Sequence, residues 1–174
     1  WKPDYLNQVT KILGLLCKYA PVTRWGNTPI ASLRGIFLAW LPYTTANLHQ
    51  RLEALDVLIK ENEEIGIQLL LDLLPKPHDI GHPTFKPTWR WFSEINEVRV
   101  TYNEMYETYS QILDRLLKVS STNGFLLSKI LPSYDDFKQQ TDRNKLYTYL
   151  DSTINNITVG KKELRDKLRE MISR

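Results

Sequence analysis

The sequence has few of the residues that build disulfide-bonded or turn-rich proteins. Its 174 residues include one cysteine and seven glycines. A single cysteine, Cys17, excludes an internal disulfide, and its leucine-rich surroundings predict a buried thiol and a cytoplasmic location. So few glycines argue against many short strands joined by tight turns. No apolar run reaches the roughly 20 residues that a membrane-spanning helix needs, so we expect no membrane partner.

Catalytic signatures are missing as well. There is no Gly-x-Ser-x-Gly elbow for a nucleophilic serine, and the glycines are too scattered to form a phosphate-binding loop. We therefore expect no enzyme activity, no metal and no cofactor in this stretch of chain. Because the chain starts with Trp1 and not methionine, we expect a piece excised from a larger multidomain protein. Residues 1–174 are predicted to form a single helical domain, with a possible subdivision into 1–92 and 93–174.

Charge is nearly balanced along the chain. The net charge is +3, and the last 14 residues, with six basic and three acidic side chains, account for all of it. Nucleic-acid binding calls for a dense basic face, so a nucleic-acid-binding helical domain is kept only as an alternative. The intervening acids favour a solvated amphipathic helix, with Glu163–Lys167 as a favourable pair and Asp166–Glu170 as an unfavourable one.

Apolar residues recur at helical spacing through most of the sequence. The pattern predicts helices over about 4–19, 29–41, 45–61, 63–74, 88–118, 124–131 and 137–157, and a last helix after Val159-Gly160. The predicted N-terminal caps are Asp4, Thr28 before Pro29, Thr44 or Thr45, and Ser133 with Asp136. The buried stripe is predicted at Leu6, Val9, Leu13 and Leu16 in the first helix, with Ile12 widening it, and at Leu48, Leu52, Leu55 and Ile59 in the third. Arg51 falls outside that third stripe.

Residues 55–75 and 113–132 show a weak internal sequence similarity. Each reads as a helix, a turn and a leucine-rich helix that a proline ends, although chance similarity among leucine-rich helices is an equal alternative. A repeat of this kind indicates stacked helical hairpins. We therefore predict an all-α fold of seven or eight helices, arranged as irregular antiparallel hairpins in an α-solenoid of HEAT- or TPR-like kind.

The stretch 75–92 interrupts this helical pattern with four of the nine prolines. Proline removes a backbone donor and clashes with the preceding turn, so a long proline-rich loop is predicted at 75–88. Its residues His78, Asp79 and His82 are of metal-ligand type, and a metal-dependent hydrolase centred on them is a further alternative. The spacing does not match the two-histidine helix signature, so Asp79 closing a turn is the preferred interpretation.

Aromatic residues follow in Trp89-Arg90-Trp91-Phe92. Tryptophan and arginine are frequent interface anchors, and Arg90 has the chemistry to stack on a tryptophan face. The preferred alternative is that Trp89 and Phe92 pin the loop onto the helices.

Two segments carry a family resemblance. The first runs from Asn27-Thr28-Pro29 to Thr44-Thr45-Ala46, and the second from His78-Asp79 to Trp89-Arg90. Over roughly residues 25–92 the chain resembles the helical C-terminal portion of large bacterial ATP-binding proteins of the STAND type, which are associated with antiviral defence. In such proteins helical repeats sense a foreign protein or hold the NTPase inactive.

The resemblance implies a role in recognition or regulation, with a protein or a neighbouring domain of the parent chain as partner. The residues singled out as loop anchors or partner contacts are Asn27, Arg34, Trp40, His78, Asp79, Trp89 and Arg90, and Trp91 joins them from the aromatic cluster.

Overall fold

The computed structural model describes residues 3–21, 28–81 and 100–173. Within these ranges it contains helices and no strand, which confirms the predicted all-α class. The α-helices are α1 (Leu6–Tyr19), α2 (Pro29–Phe37), α3 (Leu48–Glu61), α4 (Glu63–Asp72), α5 (Tyr102–Val119), α6 (Gly124–Ile130), α7 (Gln140–Thr153) and α8 (Lys161–Ile172). Short 3-10 helices cover Pro3–Tyr5, Leu131–Asp136 and Ile154–Asn156. None of the helices in the described ranges combines the length and apolar content that a membrane crossing requires.

The chain divides into two compact units. The first comprises Trp1–Leu73 and Ile80–Thr108, and the second Leu74–Asp79 and Tyr109–Arg174. In the first unit α1 packs on α2 and α3, and α4 packs on α2 and α3. In the second, α6 packs on α8 and on the 3-10 helix that follows α6. The single-domain organisation stays a prediction.

Each unit has an apolar core. The first core includes the fully buried side chains Leu33, Ile36, Phe37, Leu55, Leu58, Leu69 and Leu70. The second includes Ile112, Leu113, Leu116, Leu127, Ile130, Phe137 and Leu146. Burial of one such side chain stabilises a fold by roughly 1.5–3 kcal/mol, so these leucine-rich helices form by packing against each other.

Helix starts follow local hydrogen bonding. The predicted cap at Thr28 is confirmed, because its Oγ1 accepts a hydrogen bond from the Ala31 N–H at 3.2 Å. Helix α3 starts later than predicted, since Asn47 and Gln50 form a reciprocal capping box. The predicted cap Thr44 accepts a hydrogen bond from the Ala46 N–H instead.

Two further predicted caps are wrong. A 3-10 turn that includes Asp4 precedes α1, and the residue at its N-cap position, Tyr5, makes no side-chain cap bond. Ser133 and Asp136 lie inside the 3-10 helix Leu131–Asp136, so they do not start α7. Pro132 fits the first turn of that 3-10 helix, which displaces the start of α7 to Gln140.

The predicted long helix over 88–118 is wrong at Val100 and Thr101. Both residues are non-helical, and α5 begins at Tyr102. Thr101 Oγ1 accepts from the Glu104 N–H at 3.2 Å, and its carbonyl accepts from the Met105 N–H at 2.9 Å. Thr101 therefore caps the start of α5 through its hydroxyl oxygen. The part of the prediction over 88–99 lies outside the described residues.

Glycines allow close backbone approach at the start of α6. The Gly124 N–H donates to the Val159 carbonyl at 2.8 Å, and the Thr158 N–H donates to the Thr122 carbonyl at 3.1 Å. Gly160 then turns the chain into α8 with φ of 71°, a conformation that favours glycine. The predicted break at Val159-Gly160 is confirmed.

Candidate functional site

Arg34 and Trp40, two of the residues singled out in the sequence, both contact the chain at residues 80–81. Arg34 Nη1 donates to the Ile80 carbonyl at 3.3 Å. The Trp40 ring lies against Gly81 so closely that a Cβ there would be 3.0 Å from the ring. Both contacts hold the chain just beyond His78-Asp79. The role of these residues as loop anchors stays a prediction.

The histidine and carboxylate candidates lie at the surface. His78 is exposed and has a positive φ of 57°, and Asp79 is half-buried. Histidine is one of the non-glycine residues that adopt this left-handed conformation, usually in turns. Within residues 3–21, 28–81 and 100–173, no three or more His, Cys, Asp or Glu side chains are grouped to hold a metal ion. His82 lies outside the described residues.

The remaining candidates cannot be placed with these. Asn27, Trp89, Arg90 and Trp91 lie outside the described residues. Of the residues singled out as loop anchors or partner contacts, the structure therefore describes Arg34, Trp40, His78 and Asp79.

Helix α1 presents a feature that the sequence reading missed. Its core side is formed by Leu6, Thr10 and Gly14. The Leu58 side chain of α3 occupies the space beside Gly14, where an added Cβ would come within 2.5 Å of it. The buried side of α1 therefore centres on small residues that let α3 approach closely.

The opposite side of α1 is apolar and exposed. It carries four large side chains, Ile12, Leu15, Leu16 and Tyr19, and a fifth, Tyr5, lies at the N-cap position directly before the helix; the five are 47–78% exposed. We call these five residues the α1 outer face. The predicted burial of Leu16 and Ile12 is wrong, because the close approach at Gly14 rotates the core side of α1 away from both. The small residues Thr10 and Gly14, four apart, were the available signal.

Lysines border the α1 outer face on one edge. Lys11 and Lys18 line a shallow groove with Ile12, Leu15, Glu61 and Asn62. Lys11 Nζ is held 2.6 Å from Glu61 Oε1, which ties this edge to the end of α3. The arrangement offers an apolar surface bordered by the Lys11–Glu61 ion pair and by Lys18.

Comparison with protein-family models, curated proteins and solved structures returned no match to this chain. The functional assignment therefore depends on the surface chemistry of the described helices.

A partly buried ion pair was also missed. Arg51 was predicted to lie off the core stripe of α3, which is wrong, since its side chain is 2% exposed. Its Nη2 contacts Glu104 Oε1 at 2.5 Å. Burial lowers the pKa of Arg51, and the adjacent Glu104 carboxylate opposes that shift. The pair fastens the start of α5 to α3, a structural task that helical periodicity cannot reveal.

Acidic residues of the basic C-terminal helix lie close to three of its five basic residues. Lys167 Nζ contacts Glu170 Oε2 at 2.7 Å, in place of the predicted contact with Glu163. Asp166 lies 3.9 Å from both Arg165 and Arg169. Positive and negative groups therefore alternate on α8, which does not favour a phosphate-binding role.

Proposed function

We propose that this chain is a non-enzymatic helical domain that binds a protein through the α1 outer face. The observation that supports the proposal is the exposure of five large apolar side chains on one side of α1. A helix that is apolar on both sides is normally buried on both sides. Contiguous exposed apolar patches on soluble domains commonly mark interaction sites.

The chemistry of the face suits protein recognition. Tyrosines lie at both ends, at Tyr5 and Tyr19, and tyrosine is enriched among residues that dominate binding energy. Leu15 and Ile12 supply apolar area between them, and Lys18 on the rim favours a partner with acidic groups at that edge. A partner helix lying along α1 would bind by packing its side chains against this face, without main-chain hydrogen bonds.

The setting that we propose is a large bacterial NTPase of the STAND type, acting in the cytoplasm and in antiviral defence. The resemblance over residues 25–92 supports this setting. In it, the helices form stacked antiparallel hairpins, and the domain either senses a foreign protein or contacts a neighbouring domain of its parent chain. The packing of α3 on α4 is compatible with one such hairpin.

Site-specific photocrosslinking in the native cell tests the proposal. A benzophenone amino acid is placed at Leu16, within the α1 outer face, and separately at Gln68, an exposed position of α4. We expect a discrete protein adduct from position 16 and none from position 68. Both positions are exposed, so neither replacement should disturb the core.

The outcome that rejects the proposal is equally specific. Adducts at neither position, or the same adducts at both, would mean that the α1 outer face has no dedicated partner.

A further inference from the structure

Four residues of the α1 outer face, together with Gln8, form a seam whose positions recur every seven residues. Tyr5, Ile12 and Tyr19 are seven residues apart, and Gln8 and Leu15 fall between them. Apolar positions alternating at three and four residues form the seam by which two helices pack as a coiled coil. This seam therefore has the spacing that fits another helix, and Gln8 is the one polar residue in the seam.

Charged residues follow the same period beside this seam. Asp4 and Lys18 are exposed at its two ends. Lys11 lies midway between them, and its charge is already engaged by Glu61 at 2.6 Å. The edge is therefore negative at one end, neutralised in the middle and positive at the other. Such a pattern is complementary to itself after rotation about a two-fold axis.

We propose that the occupant of the α1 outer face is a second copy of this chain, docked antiparallel; this inference rests on the proposed function. The two-fold axis passes through Ile12, which meets Ile12 of the partner subunit. Asp4 then lies within two residues, or about 3 Å along the helix, of the level of Lys18 of the partner subunit, and Lys18 is placed in the same way relative to Asp4 of the partner subunit. The long lysine side chain spans this offset. Each end of the interface gains one opposite-charge pair.

A parallel arrangement gains nothing from the same charges. It would place the edge that carries Asp4 and Lys18 against the other edge of the second helix, where Val9 and Leu16 carry no charge, so no opposite-charge pair would form. The antiparallel arrangement also opposes the two helix dipoles. One helix face is smaller than the roughly 800 Å² that each partner contributes to a standard interface, so we expect a weak dimer with a Kd of about 10–100 µM.

Sedimentation equilibrium with charge exchange tests the pairing. The apparent mass should rise with concentration from 20.4 kDa toward twice that value. Lys18→Glu places two acids together at both ends, and we expect about tenfold weaker dimerisation. Combining Asp4→Lys with Lys18→Glu exchanges the charges and should restore the Kd to within about twofold of the unchanged chain. Lys162→Glu, at an exposed lysine of α8, is the matched control and should leave the Kd unchanged.

Disulfide trapping tests the orientation. In a Cys17→Ser background, Ile12→Cys places a thiol on the two-fold axis and should give a disulfide-linked dimer under mild oxidation. Tyr19→Cys should not, because seven residues on each helix separate the two thiols by roughly 21 Å at 1.5 Å per residue.

Three results would overturn the antiparallel dimer: a mass of 20.4 kDa at every concentration, a charge exchange that fails to restore dimerisation, or equal trapping at positions 12 and 19. A monomer whose position 16 still crosslinks to a different protein in the cell would overturn the dimer alone. A monomer without such adducts would overturn the proposed function as well.

Discussion

Arg51 and Glu104 determine how the start of α5 is held to α3. The guanidinium is buried, and two of its nitrogens, Nε and Nη1, have no hydrogen-bond partner among the described residues. The Glu104 carboxylate is therefore the group that compensates the buried charge. Because Arg51 is buried and Glu104 is partly exposed, removing the carboxylate leaves a buried charge unpaired and is costly, although replacing both partners by apolar residues is often harmless.

Removing the charge of Glu104 should therefore destabilise the first unit. We expect Glu104→Gln to lower the free energy of unfolding by about 3 kcal/mol, measured by urea denaturation. The double variant Arg51→Met with Glu104→Leu should recover to within about 1 kcal/mol of the unchanged chain. His49→Ala removes an exposed 3.6 Å contact with Glu53 and should change stability by less than about 0.5 kcal/mol. A Glu104→Gln variant as stable as the control would contradict the structural role of the pair.

Cys17 is half-buried on α1, and burial raises the pKa of its thiol above the ordinary value of 9.0. The thiolate is the reactive form, so we expect iodoacetamide to alkylate the folded chain several-fold more slowly than the urea-unfolded chain at pH 8. The folded chain holds this proton more tightly than the unfolded chain. Its contribution to stability is therefore complete below pH 9 and is lost as the pH rises through the folded-state pKa. Equal alkylation rates, measured by mass spectrometry, would refute this environment for Cys17.

At the scale of helices, the backbone at the junction before α8 has a conformation and a close contact that only glycine fits well. Gly160 has a left-handed φ, and Phe125 also lies close to it, since an added Cβ would be 2.2 Å from the Phe125 nitrogen. The contact is with backbone, so a flexible side chain cannot move aside to make room.

Gly160→Ala should accordingly cost at least about 3 kcal/mol, from left-handed strain and overpacking together. The loss should appear as a lower urea midpoint. The adjacent Val159→Ala removes atoms from a side chain that is 61% exposed and should change stability by less than about 0.5 kcal/mol. If Gly160→Ala is no worse than Val159→Ala, the close approach of residue 160 to α6 is wrong.

Helix existence could largely be predicted from the sequence, because apolar spacing and the Thr28-Pro29 start are local signals. The orientation of two helices could not. Gly14 and Thr10 define the core side of α1 by allowing close approach, whereas counting apolar residues favoured Leu16. Arg51 entered the core of α3 because Glu104, 53 residues later, compensates its charge. Such pairings depend on tertiary contacts that periodicity does not contain.

The candidate site was harder to predict still. The sequence directed attention to Asn27, Arg34, Trp40 and residues 78–91. Of these, the structure describes Arg34, Trp40 and residues 78–81. The α1 outer face escaped notice because its residues read as one side of an ordinary amphipathic helix. Only the placement of α2 and α3 on the other side of α1 identifies them as exposed.

For the whole molecule, the central claim is that α1 uses one side to fold and the other to bind. Leu58 and its neighbours hold the core side, so the fold should not depend on the α1 outer face. Self-association should then add stability by mass action, since ligand binding to the folded state raises the unfolding midpoint.

The most direct test is the thermal unfolding midpoint as a function of protein concentration, for the unchanged chain and for Ile12→Asn with Leu16→Asn. We predict that both chains melt within about 2 °C of each other at 1 µM, which corresponds to less than about 1 kcal/mol. Toward 500 µM only the unchanged chain should gain a few degrees. A variant that melts 10 °C lower at 1 µM would show that these side chains belong to the core. A midpoint of the unchanged chain that does not move with concentration would contradict self-association.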